Sequence, residues 1–274
     1  MNKSSSRVVL ITGTSSGIGA CCAADLAARG YRVYGASRSA TVPPGVTPLS
    51  MNVTDDASVS QAVATVLDRE GRVDVLINSA GFGIAGAVED TTMEEAAAQF
   101  DVNFFGTVRV CHAVLPVMRS QNAGYIVNIG SIGGVIAIPF QGFYSASKFA
   151  LEGLSESLRI EVRPFGIRVV VIEPGDHHTG FTQNRWPTAA STGPSAYHNR
   201  FERAIARMAS DEQDGPKPDA IAHLVQKVID DPHPRLRYTI GPASQRASVW
   251  LKRLLPNRIV EGIITRYYEN QRSG

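Results

Sequence analysis

The stretch Val8-Val9-Leu10-Ile11-Thr12-Gly13-Thr14-Ser15-Ser16-Gly17-Ile18-Gly19 decides the fold. Four consecutive apolar residues bounded by Thr12-Gly13 read as a strand covered on both faces, the pattern of a central parallel strand. Ala20 to Arg29 is alanine-rich and closes on Gly30, so it reads as a helix. A strand, a glycine-bearing turn and a helix in that order form a junction suited to phosphate. Gly13 permits the tight turn, Gly17 lets the backbone approach a ligand, Gly19 brings helix against strand, and free N–H groups face the anion. The candidate dinucleotide contacts here are Gly13, Thr14, Ser15, Ser16, Gly17, Ile18 and Gly19.

Outward from this junction the pattern repeats. Strand-like segments at 31–36, 45–51, 73–77, 124–129, 167–172 and 236–240 alternate with helical segments ending near 70, 100, 120, 163 and 231. The alternation predicts an α/β fold of the Rossmann type, a doubly wound parallel sheet of about seven strands with helices on both faces. With 274 residues, 43% of them hydrophobic, the chain can bury one large core, so residues 1–274 read as one domain. Its 27 basic and 25 acidic residues nearly cancel, giving no reason to expect a nucleic acid partner. Cys21, Cys22 and Cys111 show neither C-x-x-C nor ligand spacing, which argues against a disulfide framework or zinc. The first apolar run is too short for a secretory segment, and no run approaches the roughly 18 apolar residues of a membrane span. The reading is a soluble protein of the cytoplasm.

Phe143-Tyr144-Ser145-Ala146-Ser147-Lys148 carries the chemistry. Four residues on a helix advance about 6 Å and stay on one face, so phenol and ammonium share a cavity. A cation about 5 Å from a phenolate, at an effective dielectric near 20, contributes roughly 3 kcal/mol, or about 2 pKa units. The expectation is a Tyr144 lowered from about 10 toward physiological pH, able to trade a proton. Ser131 follows the apolar run 124–129, at the strand end where ligands gather in open α/β sheets.

The T-G-x-x-x-G-x-G of Thr12 to Gly19, together with Ser131 and Y-x-x-x-K at Tyr144 and Lys148, resembles the short-chain dehydrogenase/reductase family over about Arg7 to Thr179. The resemblance implies a catalytic group of Asn103, Ser131, Tyr144 and Lys148, with Asn103 bending its helix and holding a water against Lys148. Asn78-Ser79-Ala80-Gly81 resembles the family's N-N-A-G, departing at Ser79, and makes Asn78, Ala80 and Gly81 cofactor contacts. Asn52 stands where the family usually has an aspartate toward adenine; its amide oxygen can accept the same bond, so Asn52 and Val53 remain adenine contacts. Pro174, Gly175 and Thr179 match the segment that holds the nicotinamide carboxamide. Lys148 and Tyr144 also meet the cofactor ribose.

No Asp or Glu occurs between Asp25 and Asp55, and Arg38 stands just past the second strand. A guanidinium pairs with a 2′-phosphate, so the expected cofactor is NADP(H), with Ser37 as a second contact. His177-His178 invites a metal reading, but adjacent histidines point apart and no third ligand is evident, so no metal is expected. Residues from about 176 to 215 lose regular pattern and read as a lid over the substrate. The basic, amphipathic tail from about 242 to 274 is a helical extension, for which packing on its own domain or a neighbouring subunit is favoured over a membrane surface.

The expected activity is NADP(H)-dependent interconversion of a carbonyl and a secondary alcohol. Segments 78–89 and 140–151 look like bacterial relatives of hydroxysteroid and retinol dehydrogenases, which favours a bulky apolar ketone or aldehyde. A ketoreductase acting on small or acyl-carrier-linked ketones is the alternative. A catalytically idle NADP(H)-binding regulator is disfavoured because all four polar positions are filled. The family resemblance implies a homodimer or homotetramer through the two long central helices.

Overall fold

The computed structural model describes residues 7–269. Among the described residues nine strands and nine α-helices follow one another, beginning with β1 (Val8–Thr12), α1 (Gly17–Ala28), β2 (Arg32–Ser37), β3 (Thr47–Ser50), α2 (Asp56–Glu70), β4 (Val75–Asn78), β5 (Gly83–Ala85) and α3 (Met93–Phe100). A π-helical segment at Asp101–Phe105 leads into α4 (Gly106–Gln121), then β6 (Gly124–Ile129), α5 (Gly142–Val162), β7 (Ile167–Pro174) and β8 (Arg185–Pro187). The described residues end with α6 (His198–Gln213), α7 (Asp219–Asp230), β9 (Arg237–Ile240), α8 (Ala243–Lys252) and α9 (Asn257–Glu269).

Seven strands form one sheet in the order β3-β2-β1-β4-β6-β7-β9, every pair parallel. The predicted doubly wound sheet is present. Alternate residues of each strand feed opposite layers, as the two-residue period of a strand requires. Val8 and Leu10 pack with α2, α4 and α5 through Val63, Val114 and Leu158. Val9 and Ile11 pack with α1 and α7 through Leu26 and Val225. Burial on both faces is why these strands appear in the sequence as unbroken apolar runs. The winding reverses between β1 and β4, so their carboxyl ends open a crevice at the switch point.

Local chemistry fixes several boundaries. Asp55 caps α2 by accepting from the N–H groups of Ala57 and Ser58, and Thr92 with Glu95 forms a reciprocal capping box at α3. Residues 180–215, read from the sequence as patternless, contain the 16-residue helix α6, which buries Phe201, Ala204 and Met208. Its β8 neighbour pairs in parallel with β5 outside the main sheet. The tail packs on its own chain: the Tyr267 hydroxyl donates to Asp211 at 2.6 Å, and the Arg207 guanidinium lies 4.3 Å from the Tyr267 ring centre. Among the described residues no helix is long and apolar enough to cross a membrane.

Candidate active site

A cavity of about 1200 Å³ runs along the carboxyl edge of the sheet, from the β1–α1 turn past Tyr144 to the tail helices. At one end lie Gly13, Ser15, Ser16, Gly17, Ile18 and Gly19. Gly13 and Gly17 have φ of 74° and 60°, the left-handed region that favours glycine. A Cβ on Gly13 would sit 2.7 Å from the Ala80 Cα, so the bare backbone is what allows the two strand ends to meet. Ser16, at the N-cap of α1, makes no side-chain bond to the first turn, leaving those N–H groups for a ligand. Thr12, to which no role is assigned from the motif, accepts from the N–H groups of Ser79 and Ala80 at 3.1 Å each and pins the two loops together.

Ser37, Arg38, Asn52, Val53, Ala80 and Gly81 line the same end, and Pro174, Gly175 and Thr179 line the middle. Arg38 is exposed and has no ion-pair partner among the described residues. Two of the predicted contacts do not reach the cavity. Thr14 is 1% exposed, and its hydroxyl is turned inward against Gly35. Asn78 is buried between β4 and β6, where its amide donates to Asn128 Oδ1 at 2.9 Å and lies near Cys111 Sγ. A third differs in detail: Asn52 Oδ1 already accepts from the Thr54 N–H and hydroxyl, so the atom expected to meet adenine is engaged locally.

Asn103, Ser131, Tyr144 and Lys148 converge on the middle of the cavity, and all four are buried. β6 delivers Ser131, α5 carries Tyr144 and Lys148 one turn apart, and the π-helical segment supplies Asn103. Ser131 Oγ and the edge of the Tyr144 ring each lie 3.2 Å from where a Cβ on Gly133 would sit, so the two side chains are neighbours. Lys148 Nζ lies 5.9 Å from the centre of the Tyr144 ring and donates to the Ile129 carbonyl at 2.8 Å. Asn103 clamps Phe82, accepting from its N–H at 3.1 Å and donating to its carbonyl at 3.0 Å. It also reaches Ser147 at 3.4 Å, so its amide serves the loop after β4 more directly than Lys148.

The electrostatics differ from the sequence expectation. Burial pushes Tyr144 up to about 12; the neighbouring Ser131 hydroxyl opposes the shift and Glu212 adds to it. The predicted downward shift is absent because desolvation of a phenolate outweighs a cation held away from the hydroxyl. Burial also lowers Lys148 to about 8, with Glu152 opposing. Glu152 follows Lys148 by one turn and is held by Arg237 at 2.7 Å, which also bonds Glu156 at 2.7 Å.

Beyond Tyr144 the cavity is walled by residues of the segment expected to form a lid and by tail elements that the sequence did not connect with it. Phe181 packs on the Tyr144 ring at 5.5 Å and Trp186 on Phe82 at 5.1 Å. Leu251, Leu255, Val260, Ile263 and Ile264 from α8, α9 and their connection supply an apolar side. His177 and His178 diverge, their Nδ1 atoms facing the carbonyls of Gly175 and Gln213.

The family model described as short chain dehydrogenase matches residues 7–190. A 3-ketodihydrosphingosine reductase of Bacteroides thetaiotaomicron is 43% identical over 96% of this chain and 98% of its own. Human 17-beta-hydroxysteroid dehydrogenase type 1 is 36% identical over 84% of this chain and 76% of its own. The crystal structure of a short-chain dehydrogenase from Streptomyces avermitilis superposes with a TM-score of 0.80 at 33% identity, over 96% of each chain.

Proposed function

The chain belongs to the short-chain dehydrogenase family, and from that premise we propose that it uses NADPH to reduce the carbonyl of a long-chain, apolar 3-ketone to a secondary alcohol. The carrying observation is one continuous cavity in which a phosphate-suited turn and an apolar wall meet at Tyr144. The likeness to the 3-ketodihydrosphingosine reductase, which spans nearly both whole chains, supports the substrate class.

When bound, a nicotinamide cofactor supplies the hydride. The glycine turn and the α1 N-terminus fit its phosphates, because their backbone is close, bare and rich in free N–H groups. Arg38 fits a 2′-phosphate, for which a carboxylate would be unsuitable. Ser131 donates to the substrate oxygen and orients it. Tyr144, held protonated by its dry setting, gives that oxygen its proton as charge develops there. The Lys148 ammonium then steadies the phenolate left behind, contributing about 3 kcal/mol at an effective dielectric near 20.

The test is NADPH or NADH oxidation against a set of ketones: 3-ketodihydrosphingosine, a steroid ketone and a short β-keto ester. The expected outcome is turnover of the long-chain ketone with NADPH favoured at least tenfold over NADH, and a preference largely lost in Arg38→Ala. Equal use of NADH by the wild type would remove the cofactor assignment. A fused-ring ketone is the second reading, favoured by the likeness to the human steroid enzyme, and a faster steroid than long-chain rate would select it.

A further inference from the structure

The cavity is apolar along its far wall but not at the end nearest the phenol. Four acidic residues line it: Asp101, Asp176, Asp211 and Glu212. Three of them have an arginine. Asp101 is met by Arg109 at 2.7 Å, Asp211 by Arg207 at 2.8 Å, and Glu212 by Arg185, with Thr182 adding a hydroxyl. Asp176 is held only by the neutral amide of Gln245, which donates to Oδ2 and accepts from the Asp176 N–H at 2.8 Å. No donor among the described residues meets Oδ1.

A half-buried carboxylate without a cation is costly. Burial, with Glu212 and Asp211 adding to it and Arg185 opposing, pushes Asp176 up to about 6. Asp176 lines the same cavity as Tyr144 and Tyr268 of α9. Two further residues of the lining carry polar atoms that no group among the described residues meets, both enclosed rather than open to the cavity. Gln141, three residues before Tyr144 and 3% exposed, lines the cavity with Nε2 unpartnered. His177, 4% exposed, also lines it. Its Nδ1 faces the Gly175 carbonyl and must carry the proton, which leaves an unpartnered Nε2 as an acceptor.

A carboxylate open to the cavity and without a cation, in the same cavity as the proton-giving phenol, describes a ligand that brings its own cation close to its carbonyl. We propose that Asp176 is a specificity-determining residue that takes the ammonium of an aliphatic α-amino ketone, so that a free 2-amino-3-ketone is preferred over the same chain with its nitrogen acylated. This rests on the carbonyl-reductase reading above. It deepens that reading by saying what distinguishes this substrate from a merely apolar one.

The competing role for Asp176 is to tie α8 to the loop after β7 through Gln245. Asp176→Asn removes the charge and keeps the shape and the acceptor for Gln245, whereas Gln245→Ala removes the tie and keeps the charge. Initial rates with NADPH are compared for 3-ketodihydrosphingosine and its N-acetyl derivative in the wild type and both variants. The wild type is expected to favour the free amine, and Asp176→Asn to lower that preference roughly 10- to 100-fold, mainly through KM. Gln245→Ala is expected to retain the preference.

From pH 7 to 5, kcat/KM for the free amine is expected to fall through about 6 as Asp176 loses its charge. The N-acetyl substrate and Asp176→Asn are expected to lack that fall. Binding gives a second readout: dihydrosphingosine should raise the thermal midpoint of the wild type more than that of Asp176→Asn.

Equal turnover of the two ketones by the wild type overturns the proposal and leaves the reductase reading standing. So does an equal loss for both ketones in Asp176→Asn, which would mark a tether. Turnover of neither ketone overturns the reductase reading and the proposal with it.

Discussion

Replacing Tyr144 with Phe is expected to lower kcat/KM for carbonyl reduction about 10³-fold, equivalent to about 4 kcal/mol of barrier, with cofactor binding retained. The phenol is buried beside Ser131, and no other hydroxyl of comparable placement on α5 could replace it as a proton donor: Ser147 is turned back to the Tyr144 carbonyl at 2.7 Å. The pH dependence follows from two shifts of opposite sign. Tyr144, raised to about 12, keeps its proton across the accessible range, while Lys148, lowered to about 8, is charged below that value and neutral above it. Reduction should therefore hold its rate from neutrality to about pH 8 and decline beyond, as the ammonium that steadies the phenolate discharges. Steady-state rates of Tyr144→Phe within tenfold of wild type would remove the phenol from the chemistry.

Gly13→Ala is expected to disturb both fold and cofactor site. The residue has φ of 74°, and its new Cβ would meet the Ala80 Cα at 2.7 Å and N at 2.8 Å, backbone that cannot rotate away. Strain and overpacking together are worth about 3 kcal/mol, or a fall of roughly 6–12 °C in thermal midpoint for a chain of this size. Separation of the β1 and β4 ends would also break the Thr12 bonds to Ser79 and Ala80, so cofactor Kd should rise at least tenfold. Gly153→Ala on α5 is the control, because nothing lies within 4 Å of a Cβ there and the helix gains up to about 1 kcal/mol. Calorimetry and a cofactor titration check both. Equal midpoints for the two variants would contradict the close approach at Gly13.

The sheet was legible because its strands are covered on both sides, so Val8 to Ile11 and Val169 to Ile172 carry continuous apolar runs that polar alternation would have masked. Helix α6 was not. Trp186-Pro187 and Gly193-Pro194 precede it as breakers, and only a narrow stripe of its residues faces inward. The spacing of Tyr144 and Lys148 was readable, but their pKa shifts were not, since a spacing carries no information on how dry the site is. Thr14 and Asn78 show a related limit: a motif places a residue at a strand end without saying which way its side chain turns. The tail was recognised as amphipathic, yet its part in the cavity wall depends on Asp211, Arg207 and Asp176, far away in sequence.

The most direct test of the central claim is isotope transfer. NADPH carrying deuterium at the transferring C4 position is incubated with the protein and 3-ketodihydrosphingosine, and the product is analysed by mass spectrometry. The expected product is dihydrosphingosine one mass unit heavier, with the label on the carbinol carbon. Cofactor binding without any labelled alcohol, from this ketone or the others in the set, would contradict a reductase built around Tyr144.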